Sequence, residues 1–243
     1  ELAALGDIFM NDAFSTAPRA HASTEGLAHL LPSAAGCLME GELIALDKAL
    51  GNPKKPVAAI VGGSKISTKL SVLYNLTEKV DYLILGGGMA NTFLHAGGAD
   101  IGNSLCEKDM SDEALNIAVH AAKNNCQIIL PKDCVAVTEI DSQTDIKIVP
   151  TDDIPDDRMA IDIGPESIEK IRGIIEKCKT VVWNGPMGVF EIKPFDKGTN
   201  EVAMIVADAT DANHLTSIAG GGDTVAALEN AAAACSFTYI STA

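Results

Sequence analysis

Short runs of apolar and β-branched residues alternate along this chain with longer stretches in which apolar positions recur every three or four residues. The runs Ile8 to Met10, Val57 to Val61, Tyr82 to Leu85, Gln127 to Leu130, Ile146 to Val149, Met159 to Ile163, Thr180 to Trp183, Leu215 to Ala219 and Phe237 to Ile240 predict strands. Between most of them lie amphipathic stretches of helix length. Ile66, Leu70, Leu73 and Leu76 share one face, Ala114, Ile117, Ala118 and Ala121 another, and Glu166 to Lys177, Asn200 to Ala209 and the segment with Val225, Leu228 and Ala231 follow the same rule. Strand then helix, repeated, predicts an α/β fold with right-handed crossovers and a mainly parallel sheet covered on both faces.

The first 36 residues break this rhythm with Pro18, Arg19, His21 and Pro32, and read as the end of a preceding domain. Leu38 to Leu50 predicts a helix with Glu40, Glu42, Asp47 and Lys48 on its polar side, stopped by Gly51-Asn52-Pro53, and suited to connect two domains. The chain opens at Glu1 without an initiator methionine or signal-peptide pattern and closes just after a strand-like run, so both ends read as cut.

Four predicted strands run into glycine-rich turns: Gly62-Gly63-Ser64-Lys65, Gly86-Gly87-Gly88, Asn184-Gly185-Pro186-Met187-Gly188 and Gly220-Gly221-Gly222-Asp223-Thr224. Glycine admits φ > 0 and leaves amide N–H groups open to a ligand, so glycines clustered at strand ends predict one shared site. Lys65 and Lys69, four residues apart, predict two ammonium groups on one helix face beside an anion-receptive helix start; two solvated surface lysines are the other reading. The triple glycine is either tight packing of helix on strand or a flat wall for an aromatic base.

Asp223 or Thr224 either caps a helix or serves a phosphate. A carboxylate ~4 Å from a phosphate charge costs about 4 kcal/mol at an effective dielectric of ~20, whereas Mg²⁺ between them makes it favourable. Asp223 therefore points to a metal-bound nucleotide. Glu191 either pairs with Lys193 or accepts ribose hydroxyls. Neither a Walker A loop nor a full G-x-G-x-x-G is present, which demotes a dinucleotide oxidoreductase.

Composition narrows the class. Apolar residues make up 47% of 243, enough for a sizeable core, and the 4% aromatic share favours aliphatic α/β packing. No apolar run reaches the ~18 residues of a membrane helix. The formal charge of −15 opposes nucleic acid, so any phosphate ligand must be small and locally held. Six scattered cysteines without C-x-x-C read as reduced core thiols in a reducing compartment.

Together with Asn11-Asp12-Ala13-Phe14, Arg19-Ala20-His21, Leu130-Pro131 and Asp162-Ile163-Gly164-Pro165, the four turns and Glu191 resemble the phosphoglycerate kinase family, in the family's order along the whole chain. The resemblance implies a Rossmann-like parallel sheet. It implies that residues 1–36 end an N-terminal 3-phosphoglycerate-binding domain, 37–52 form the connecting helix and 53–243 the nucleotide-binding domain, truncated at its C-terminal end. The implied reaction is reversible phosphoryl transfer between 1,3-bisphosphoglycerate and ADP, giving 3-phosphoglycerate and ATP with Mg²⁺, in glycolysis or carbon metabolism; a cytoplasmic protein is expected, and, with no heptad or large apolar patch in the sequence, a monomer.

By the same resemblance, Lys65 reaches the transferring phosphoryl group and Lys69 the nucleotide phosphates. Asp223 holds Mg·nucleotide; Gly221, Gly222 and Thr224 donate amides and a hydroxyl; Asn184 lies near the phosphates. Gly86 and Gly87 flank adenine and Glu191 takes the ribose. Arg19 joins the basic patch for phosphoglycerate, with His21 in the same motif, and Lys65, Arg19 and Gly222 form the implied catalytic set. Pro18 departs from the histidine of many members. With the rest of the acceptor patch expected upstream and further glycines beyond Ala243, the chain as written is expected to bind nucleotide weakly and not to turn over alone.

Overall fold

The structure, a computed structural model, describes residues 1–16, 20–47, 51–141 and 144–241. A short parallel pair, β1 (Phe9–Asn11) and β2 (Ser33–Ala35), precedes helix α1 (Cys37–Leu46). Asp12 ties them together: its Oδ1 accepts the Met39 amide in the first turn of α1 at 2.9 Å.

A six-stranded parallel sheet follows. The chain runs β3 (Val57–Val61), α2 (Leu70–Thr77), β4 (Tyr82–Leu85), α3 (Gly87–Ala96), α4 (Ser111–Lys123) and β5 (Gln127–Ile129) outward to one side. It then builds a three-stranded antiparallel sheet from β6 (Asp133–Val137), β7 (Lys147–Pro150) and β8 (Met159–Ile163). Helix α5 (Pro165–Ile175) returns it to β9 (Thr180–Asn184) beside β3, and α6 (Lys197–Asp211), β10 (Thr216–Ala219), α7 (Gly222–Asn230) and β11 (Tyr239–Ile240) extend the other side. The order β11-β10-β9-β3-β4-β5 thus reverses direction between β3 and β9, the place in an open α/β sheet where ligands settle.

Strand periodicity explains the layers. Successive residues of β3 point to opposite faces: Val57, Ala59 and Val61 pack with Leu83, Leu85, Leu73, Met89 and Ile117 on one side, while Ala58 and Ile60 pack with Val181, Trp183, Ile171, Val202 and Leu228 on the other. All five residues of β3 are buried. A strand covered on both faces reads as an unbroken apolar run, so its bounds are legible in the sequence.

Three expectations need correction. Cys126, Cys134 and Cys178 are buried thiols, but Cys37 and Cys235 are exposed and outside the core. The antiparallel sheet claims the runs at 146–149 and 159–163, and β6 was not foreseen at all. It opens on Asp133, a buried carboxylate whose oxygens accept the Glu166 and Ser167 amides at 3.0 and 2.8 Å and so cap α5 from another element. On α1, Glu42 is buried instead of solvated, while Leu38, Leu43 and Ile44 are exposed. Apolar positions lie all round that helix, so tertiary contact decides which side is covered. Burial, then the hydrogen bond and charge of Glu42, push the Tyr239 phenol on β11 up.

Candidate active site

Because β4, β3, β9 and β10 are parallel neighbours, the four glycine turns that follow them stand side by side at one edge of the sheet. They lock one another through the backbone. Gly62 donates its amide to the Asn184 carbonyl at 2.9 Å, Gly87 to Met187 at 2.8 Å, and Met89 to Gly63 at 3.0 Å. A Cβ on Gly62 would overlap the Pro186 carbonyl, and one on Gly87, which sits at φ +65°, would meet the Gly63 carbonyl. The triple glycine is thus tight packing, and Gly87 and Gly88 also form part of a cleft wall.

The lysine pair is arranged differently from expectation. Helix α2 begins only at Leu70, so Lys65 and Lys69 do not share a helix face; Lys69 precedes the helix at φ −126°. Gly63, at φ +138°, turns the chain out of any helical path, and Ile66 reaches the core from this turn rather than from a helix. The Lys69 ammonium donates to the Gly62 carbonyl at 2.8 Å and to Asn184 Oδ1 at 2.6 Å. The Asn184 amide in turn donates to the Gly220 carbonyl at 2.8 Å. One side-chain relay therefore spans the turns after β3, β9 and β10. Burial holds the Lys69 pKa below the ordinary lysine value, against the opposing pull of the Asp223 charge.

After β10, Gly221 takes φ +93° and α7 starts without a side-chain cap, so neither Asp223 nor Thr224 serves as N-cap. Asp223 is exposed in the first helical turn. Thr224 is buried, and its hydroxyl oxygen accepts the Gly185 amide at 2.6 Å. Gly222 stands at the open start of α7, with nothing near its Cβ position.

All four turns contribute to one cleft of about 300 Å³: Gly63 and Ser64, Gly87 and Gly88, Pro186, Gly188 and Glu191, and Asp223 line it. Gly86 lies just behind, packed against Met187. Its apolar lining comes from Leu105, which packs on Gly88, and from Ile140, Met159 and Ile161. These residues were not singled out in the sequence, because they come from an irregular connection and from the unforeseen sheet. Nor was Glu107, whose carboxylate accepts the Ser67 amide and hydroxyl at 3.0 and 2.6 Å beside this cleft. His21 is exposed in the N-terminal segment, away from the cleft lining. Arg19 and Pro18 lie outside the described residues.

Asp162 accounts for the Asp-Ile-Gly-Pro motif. Buried at the end of β8, it accepts the Gly198 amide of α6 at 2.6 Å and the Ile163 amide at 2.9 Å, while Gly188 and Gly198 leave it room. Burial first, with the charges of Asp196 and Glu201 added, pushes its carboxyl up to about 7 against those two amides. A folded-state pKa above the ordinary 3.8 favours folding at low pH, and that contribution is lost as pH rises through 7. Urea unfolding is therefore expected to show about 2–3 kcal/mol less stability from this group at pH 8 than at pH 5. Asp162→Asn should flatten that slope; an unchanged slope would refute the assignment.

Among the described residues no group of three or more His, Cys, Asp or Glu side chains could by itself hold a metal ion, and no helix is long and apolar enough to cross a membrane. A family model described as phosphoglycerate kinase matches residues 1–243. Over 243 residues the chain is 58% identical to phosphoglycerate kinase of Rhodospirillum centenum, covering all of this chain and 61% of that protein. The structure matches that of phosphoglycerate kinase from Coxiella burnetii with a TM-score of 0.91 at 44% identity, over 99% of this chain and 62% of that one. It matches the enzyme from Pyrococcus horikoshii with a TM-score of 0.77 at 32% identity, over 99% and 60%. The chain thus spans about three fifths of the length of the relatives it matches.

Proposed function

The chain belongs to the phosphoglycerate kinase family, and on that premise we propose that the cleft binds Mg·ADP or Mg·ATP and serves reversible phosphoryl transfer with 1,3-bisphosphoglycerate and 3-phosphoglycerate. The observation that carries this reading is the convergence of four glycine turns, two lysines and one exposed carboxylate on one edge of a parallel sheet. The base lies between the Gly87–Gly88 wall and the apolar side with Ile140 and Ile161, and Glu191 accepts the ribose hydroxyls. Phosphates meet Lys69, the amides of Gly221 and Gly222, and Asn184.

The donor set fits a divalent cation carried by the nucleotide. Asp223 offers a hard, exposed oxygen at the cleft, and Mg²⁺ is commonly held by one or two carboxylates plus substrate phosphates. Bound there, Mg²⁺ would supply charge neutralisation between Asp223 and the phosphates. Lys65 approaches the transferring group and stabilises charge on its equatorial oxygens; the acceptor is already a carboxylate, so no general base is required. Arg19 and His21 belong to the acceptor patch, 1–36 to the phosphoglycerate-binding domain, 37–52 to the connector and 53–243 to the nucleotide-binding domain. Closure of the two domains would exclude water from the phosphoryl group. We place the protein in the cytoplasm as a monomer.

Calorimetry with Mg·ADP tests the assignment. Asp223→Ala is expected to weaken Mg·ADP binding more than tenfold while changing metal-free ADP binding less than threefold. Equal effects with and without metal would remove Asp223 from the metal site. ATP formation from 1,3-bisphosphoglycerate and ADP, assayed with the rest of the phosphoglycerate-binding domain added back, tests the reaction itself.

A further inference from the structure

The loop that carries Lys65 is held from outside the glycine turns. Ser67 donates to Glu107 twice, its hydroxyl to Oε1 at 2.6 Å and its amide to Oε2 at 3.0 Å, and the Ile66 amide is near enough to the same carboxylate to help hold its pKa down. Glu107 is itself anchored to α3. Its amide donates to the Thr92 hydroxyl at 3.1 Å, and that buried hydroxyl donates to the Gly88 carbonyl at 3.1 Å. One residue pair away, the buried Asn91 amide donates to the Leu105 carbonyl at 3.1 Å. A carboxylate fixed to a rigid helix is thus presented to two consecutive amides immediately after Lys65.

Successive amides behind a glycine pair make an anion-binding concavity, and here that concavity is filled from within the protein. Burial opposes ionisation of Glu107, but the bonds from Ser67, the nearby Ile66 amide and the Lys65 charge outweigh it and hold the carboxyl below its ordinary range. Resting on the kinase reading above, we propose that Glu107 is a positioning residue for phosphoryl transfer. By occupying the Ser67 amide and facing that of Ile66, it keeps the phosphate from settling one register deeper, and it fixes the backbone from which Lys65 reaches the transferring group. Lys69, which serves nucleotide affinity from the same segment, has its own ties to the Gly62 carbonyl and Asn184, so loss of Glu107 acts on turnover and spares binding.

The test compares Glu107→Ala, Glu107→Gln, Ser67→Ala and the Glu107→Ala/Ser67→Ala double variant with the unsubstituted protein. By NMR, the Ile66 and Ser67 amides are expected to exchange at least tenfold faster in Glu107→Ala, and to gain shifts on titration with inorganic phosphate. In steady-state ATP formation by the chain joined to the rest of the phosphoglycerate-binding domain, kcat should fall at least tenfold in Glu107→Ala with KM for ADP changed less than twofold. The double variant should fall short of the product of the single effects. Glutamine keeps both bonds to Ser67, the hydroxyl turning to accept, and should recover most of the lost kcat.

Unchanged amide exchange would overturn the tie. A fall in kcat matched by a rise in KM and a lower melting temperature would reduce Glu107 to a structural part. If the unsubstituted chain, joined to the rest of the phosphoglycerate-binding domain, forms no ATP while the exchange results hold, the kinase reading has failed and the catalytic role of Glu107 goes with it, the tie alone surviving.

Discussion

Lys69→Met is expected to weaken Mg·ADP binding at least a hundredfold, the largest loss of affinity from any single side chain in the cleft. The ammonium is half-buried and already donates to the Gly62 carbonyl and Asn184 Oδ1. Hydrogen bonds to charged groups contribute about 1.5–3 kcal/mol each. Methionine keeps the length of the chain but leaves both acceptors without that donor, and it removes the positive charge that offsets Asp223. A hundredfold corresponds to about 2.7 kcal/mol, within reach of one such bond and the lost attraction to phosphate. Lys69→Arg should rescue little, because the planar guanidinium fork does not fit a site shaped around a point charge. Calorimetry decides; binding within threefold of the unsubstituted protein would take Lys69 out of the phosphate site.

The second large effect falls on stability. Gly62→Ala would drive a methyl group into the Pro186 carbonyl and the Gly185 backbone, neither of which is the loose end of a side chain. Overpacking typically costs 1–3 kcal/mol. Here the displaced backbone also directly follows Asn184, whose carbonyl accepts the Gly62 amide at the place where strand order reverses. A loss of about 3 kcal/mol or more is therefore expected from urea unfolding. Gly173, inside α5 with open space around its Cβ position, is the contrast. There alanine is expected to stabilise by about 0.4–1 kcal/mol, through helix propensity and a less flexible unfolded chain. Equal effects at the two positions would mean that backbone crowding at Gly62 is relieved by small shifts.

Legibility in the sequence followed the physics of burial. Val57 to Val61 and Tyr82 to Leu85 had the bounds that the structure gives them, since strands covered on both faces admit few polar residues. The adjacency of the four turns followed from the parallel order, because neighbouring strands that run the same way must end at the same edge. Asp133 to Val137 was invisible for the opposite reason. It begins with a charged residue whose partner, the first turn of α5, is over 30 positions away in the chain. Ile66 misled the helix reading. An apolar residue at helical spacing can reach the core from a turn, and only the conformation of Gly63 tells the two cases apart. Glu107 carried no local signal, as its meaning depends on Ser67, 40 residues earlier.

The backbone bonds that join the bends after β3, β4 and β9 make the rim behave like voussoirs of an arch, each stone set by its neighbours. Transplanting the Gly62–Lys65 bend alone into another parallel sheet would bring neither its shape nor its grip. The smallest portable unit is the whole span of four adjacent strands, and redesign of one stone calls for recutting the next.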